Sequence, residues 1–73
     1  MSTVTVSWIG RIGETAGKVW HLLHQHGPLT PARIVAQIDE PRDLVMQAIG
    51  WLARENKLHV DEGPRGRRIS LKE

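Results

Sequence analysis

The 73-residue chain has no cysteine. That excludes disulfides and thiolate metal sites, so nothing covalent can staple a small core. Phenylalanine and tyrosine are also missing, which leaves Trp8, Trp20 and Trp51 to supply all the aromatic area. No apolar run approaches the roughly 20 residues that cross a bilayer as a helix. The opening MSTVTVSW lacks the basic segment and apolar stretch of a secretory signal, so a soluble, cytoplasmic protein is expected. There is little surplus charge. Ten Lys and Arg against eight Asp and Glu leave +2. The pI of about 9.7 overstates this surplus, because without Cys or Tyr nothing titrates between the amino terminus and the lysines. Whole-chain charge is weak evidence for a nucleic-acid partner, and its distribution matters more.

A chain of this length forms one domain with a marginal core, which a partner subunit can reinforce. In TVTVSWI, residues 3–9, Val4 and Val6 alternate with Thr3, Thr5 and Ser7. This pattern predicts an N-terminal arm or strand over residues 1–10, ahead of a domain over residues 11–73. From about Arg11 to His26 the period becomes helical, with Ile12, Ala16, Val19, Leu22 and Leu23 inward. Glu14 and Lys18 stand four apart in the favourable order on the opposite face. Gly27-Pro28 ends this helix. Thr30-Pro31 reads as a cap and first residue of a second, short helix that buries Ile34, Val35 and Ile38. Asp39-Glu40-Pro41 breaks it. A third helix is predicted from about Arg42 to Asn56, with Leu44, Val45, Ala48, Ile49 and Leu52 inward. Asp43, Met46, Gln47, Gly50 and Arg54 face outward, and Asp39 or Asp43 lies at the favourable end of the dipole. Leu58 and Val60, then Ile69 and Leu71, alternate with polar residues around Gly63-Pro64-Arg65-Gly66, which predicts a β-hairpin.

Two helices joined by a tight turn, then a third helix and a basic hairpin, match a winged helix-turn-helix. The fold class expected is α+β, mainly α: three helices followed by a two-stranded wing, with a short extra strand as an option. The segment PLTPARIVAQIDEPRDLVMQAIGWLARENKLHV resembles winged helix-turn-helix domains of prokaryotic transcription regulators. GETAGKVWHLL and AIGWLAREN are similar to a family of small, stand-alone prokaryotic winged-helix proteins of unsettled function. The resemblance covers residues 11–71. It implies a DNA-binding module, with the third helix in the major groove and the wing on the phosphate backbone. Arg42, Met46 and Gln47 then fall where such helices meet base edges. Arg42 would reach guanine or phosphate, and Gln47 would pair with adenine. Thr30 and Arg33 at the second helix, and Arg65, Arg67 and Arg68 in the wing, would hold phosphates. Asp43, Met46, Gly50 and the preceding Glu40 depart from the usual basic and polar set. Asp43 would repel phosphate unless it accepts from a cytosine amine.

Each of these features has a plainer reading. Arginines in a turn also keep an edge strand from aggregating, and Asp61 and Glu62 could pair with Arg67 or Arg68 across the hairpin. His21 and His24 have a spacing that could share a metal, but zinc needs three or four ligands, so charged histidines at a helix end are the expectation and no metal site is assigned. The tryptophans serve as core, or, where partly exposed beside an apolar arm, as contacts of a homodimer: Trp8, Trp20 and Trp51. Gly17 and Gly50 inside helices point to close helix approach, within the fold or across a dimer. No serine has a base beside it and no helix follows the wing glycines, so neither an enzyme, a cofactor nor a small-molecule ligand is expected. The alternative to DNA binding is a protein-interaction or dimerisation module on the same fold.

Overall fold

The computed structural model describes residues 7–72. The chain forms α1 (Trp8–His26), α2 (Pro31–Gln37), α3 (Arg42–Arg54), β1 (Leu58–Gly63) and β2 (Gly66–Leu71). Helix α1 begins three residues earlier than the hydrophobic period predicts. Ser7 is its cap, and the Ser7 Oγ accepts from the Gly10 amide at 3.0 Å. Trp8, Ile9 and Gly10 are therefore helical instead of belonging to an extended arm. The remainder of that predicted arm, residues 1–6, lies outside the described residues. At the other end Gly27, at φ 84°, turns the chain, and its N–H closes on the Leu23 carbonyl at 2.8 Å.

Thr30 caps α2, its hydroxyl oxygen accepting from the Arg33 amide at 3.2 Å, with Pro31 first in the helix as its fixed φ favours. Helix α3 stops at Arg54, short of the predicted Asn56, because Asn56 adopts φ 62°. Asparagine tolerates this left-handed geometry. It lets the Asn56 amide reach the Ala53 carbonyl and the Lys57 amide reach Leu52, each at 3.0 Å, so these two carbonyls of the last turn are satisfied.

The wing is a two-stranded antiparallel sheet in which Leu58 faces Leu71, Val60 faces Ile69, Asp61 faces Arg68 and Glu62 faces Arg67. Pro64 fixes its own φ near −65° and Arg65 is not left-handed, so the mirror-image hairpin turns are excluded. Gly66, at φ 110°, completes the reversal. The optional extra strand is present as a single bridge: Leu29 and Ile69 exchange both backbone hydrogen bonds, at 2.9 and 2.7 Å. This bridge ties the wing to the segment between α1 and α2.

One core lies among the three helices and the base of the wing. Val19, Ile34, Leu44, Val45 and Ala48 have no solvent exposure, and Ala16, Leu23, Ile38, Ile49, Leu52, Leu58 and Ile69 are buried around them. All five inward positions predicted on α3 are buried. Ile12 and Leu22 are only half-buried on α1, whereas Thr15, which no apolar pattern marks, is buried. Among the described residues, no helix is long and apolar enough to cross a membrane.

Candidate nucleic-acid interface

Arg42 and Met46 lie one turn apart on the solvent side of α3, both exposed. Gln47 is exposed too, but its Oε1 accepts from the Trp8 indole N–H on α1. The side chain expected to read adenine is thus partly engaged within the chain, since bidentate pairing to adenine needs both the oxygen and the amide nitrogen. Trp8 also lies beneath Arg11, whose guanidinium carbon is 5.0 Å from the indole centroid, at cation–π distance. Thr30 and Arg33 are held by the cap of α2, with Arg33 exposed.

In the wing, Arg65, Arg67 and Arg68 are all exposed. The register sets Glu62 opposite Arg67 and Asp61 opposite Arg68. Opposition has not become pairing, however: among the described residues no carboxylate is in ion-pair contact with a wing guanidinium. Asp61 turns instead to His59 on its own strand, Oδ1 to Nε2 at 3.3 Å. Because side chains alternate, Arg67 shares a face of the ribbon with Val60 and Ile69, and Arg68 shares the other with His59 and Ser70. Arg65 and Arg68 border a shallow hollow of about 370 Å³ at the wing tip, to which Arg67 does not contribute.

The acidic residues before and within α3 are less available than their sequence suggests. Glu40 lies in the turn from α2 to α3, and its two oxygens take Lys18 Nζ at 2.6 Å and Arg11 Nη2 at 3.3 Å from α1. The hydrogen bond from Lys18, reinforced by the charges of Lys18 and Arg11, holds the Glu40 carboxyl below its ordinary range against the cost of desolvation. The same bond raises the Lys18 ammonium above its ordinary value. Lys18 therefore pairs across the fold with Glu40 and not with Glu14 along the helix. Sequence reasoning missed this cluster, because no local spacing connects residues 11, 18 and 40. The only local signal is an acid directly before Pro41 at the start of a helix. Asp43 Oδ1 accepts from the adjacent Leu44 amide at 2.9 Å, so the carboxylate is drawn to the helix N-terminus.

The remaining aromatic residues gather elsewhere. Trp20 (36% exposed) and Trp51 (43% exposed) flank an open groove of about 380 Å³ between α1 and α3, floored by Gly13, Ala16 and Gly17. The His24 ring stacks on Trp20 at 5.0 Å and 11°, and the His21 ring meets it edge-on at 5.4 Å. The two imidazoles thus pack on an indole, and among the described residues no group of three potential metal ligands comes together. The structure brings Trp8 to Gln47 and Trp20 to Trp51, but places Trp8 outside the groove lining.

Three helices, the short second one capped by Thr30, and an arginine-tipped hairpin define a winged helix-turn-helix module. A family model described as "Winged helix-turn-helix domain (DUF2582)" matches residues 6–71, and the chain belongs to that family. It is 43% identical over 53 residues to the uncharacterized protein MJ1608 of Methanocaldococcus jannaschii, a match that spans 70% of this chain and 76% of the archaeal one. Its fold is similar to the solution NMR structure of protein BT2368 from Bacteroides thetaiotaomicron, with a TM-score of 0.75 and 30% identity over 84% of this chain and 74% of that one. The resemblance to a small winged-helix family of unsettled function therefore holds.

Proposed function

We propose that the protein is a DNA-binding module, in the manner of a small transcription regulator, that grips duplex DNA chiefly through the phosphate backbone. One observation carries this reading. Arg65, Arg67 and Arg68 are exposed on a wing whose register offers them acids, yet among the described residues none is in ion-pair contact with one. Arginines of this kind are free to displace counterions from phosphate. Neutralisation of Glu40 by Arg11 and Lys18 removes one negative charge that would otherwise oppose docking of α3. Arg42 is the best-placed group for a base edge, Met46 offers an apolar contact to a thymine methyl, and Thr30 and Arg33 would steady the backbone. Gln47 contributes to base reading only if Trp8 releases its oxygen.

The test is a salt titration of the purified protein against mixed-sequence duplex DNA. Binding should weaken steeply with salt, and replacing all three wing arginines with alanine should flatten the log–log slope by about 2 to 3, roughly 0.9 for each phosphate no longer neutralised. Absence of binding at low salt would remove the DNA reading. The module would then be one that docks proteins, a reading favoured by the exposed tryptophan groove.

A further inference from the structure

We propose that the groove between Trp20 and Trp51 is a self-association surface that receives residues 1–6 of a second copy, with Val4 and Val6 packed against the indoles. The first support is that the groove is built for backbone yet unused by the described residues. Gly13 and Gly17 line it, and among the described residues no atom beyond the helix's own adjoining backbone lies within 4 Å of where a Cβ on either would stand. Each glycine costs α1 about 1 kcal/mol against alanine. Among the described residues nothing packed on the two glycines compensates for that cost, whereas a strand laid flat on the helix would.

The second support is the chemistry of the occupant. Among the described residues the groove's one permanently charged lining residue is Lys57. Residues 1–6, MSTVTV, carry no charged side chain, and in an extended conformation such a segment would present Val4 and Val6 on one side and Thr3 and Thr5 on the other. Valines suit an indole-walled floor, and the threonines stay in water.

The third support is length. Residues 1–6 end at Ser7, the cap of α1. At about 1.5 Å per helical residue, Gly17 lies about 15 Å and Trp20 about 20 Å along α1 from that cap. Even with no residue spent on turning back, Val4 reaches only about 10 Å from Ser7 at roughly 3.4 Å per residue. A chain's own valines therefore fall short of the far half of its own groove. A second copy has no such restriction, and reciprocal exchange of the two segments closes a two-fold dimer.

The absence of native cysteine makes the test specific. Wild type should sediment as a dimer, and V4D/V6D as a monomer with unchanged far-UV circular dichroism, since neither position contributes to the described core. Mixing the single variants V4C and G17C under oxidation should give a disulfide-linked pair of different chains. A wild-type monomer up to millimolar concentration overturns the proposal. A V4D/V6D protein that stays dimeric also overturns it, as does a V4C/G17C double variant that closes its disulfide within one chain. No DNA enters these measurements, so they stand or fall apart from the nucleic-acid reading.

Discussion

Glu40 shows how the charge of one side chain can be taken up within the fold. It precedes the helix that would meet DNA, and its charge is spent on Arg11 and Lys18. The linkage has a definite direction. Glu40 is held below its unfolded value, so it stabilises the fold above that value and loses the contribution as pH falls through its native one. Lys18 is held above its unfolded value, so its contribution is lost only as pH rises through the raised one. Glu40→Gln should therefore lower the melting temperature at neutral pH, and the two proteins should converge in acid, as thermal scans across pH would reveal. A constant difference down to the acid limb would mean that the carboxylate's charge is not what holds the turn. In the wing, Arg67 and Arg68 lie on opposite faces of the ribbon. If both grip phosphate, each single alanine variant should reduce the salt slope of DNA binding by about one, and the double variant by about two. If only one face touches DNA, one variant will be silent.

Helix α3 illustrates what periodicity reads well. Leu44, Val45, Ala48, Ile49 and Leu52 recur at spacings that only a helix can bury together, and all are buried. Thr30-Pro31 and Gly27-Pro28 mark their boundaries correctly, because capping is a property of adjacent residues. Element ends set by single-residue conformation are less legible: Asn56 stops α3 early by turning left-handed, and Ser7 starts α1 early although the preceding pattern alternates. The site is legible only in part. The wing arginines cluster in sequence and are exposed as expected, but the Arg11–Lys18–Glu40 cluster and the Trp8–Gln47 bond join residues that no local pattern relates. The helical glycines are expected to mark close approach. Within the described fold they do not, since a Cβ at Gly50 would have no neighbour within 4 Å. Gly50→Ala should accordingly stabilise the domain by about 1 kcal/mol in urea denaturation. Gly66→Ala should do the reverse, costing about 1–2 kcal/mol, because Gly66 sits at φ 110°.

The molecule as a whole rests on a core of few side chains. A domain of this size has about 4–11 kcal/mol of net stability. Ile34, fully buried at the junction of α2 with the core, should cost about 2–5 kcal/mol when replaced by alanine, a large share of the total. Urea unfolding should show the midpoint falling accordingly. A near-neutral result would mean that the cavity collapses freely and that packing there is loose. The bridge between Leu29 and Ile69 has an expected consequence for the order of folding. The hairpin can zip from its own turn, and the helices can coalesce through neighbouring segments. The bridge, in contrast, joins residues that most of the chain separates, so the entropy of closing that loop must be met before either hydrogen bond forms. The bridge is therefore expected in the final descent to the native state and not in the nucleus. Shortening the bridged side chain with Ile69→Val should leave the refolding arm of a chevron plot in place and raise the unfolding arm, so the wing would be the last part to dock and the first to let go.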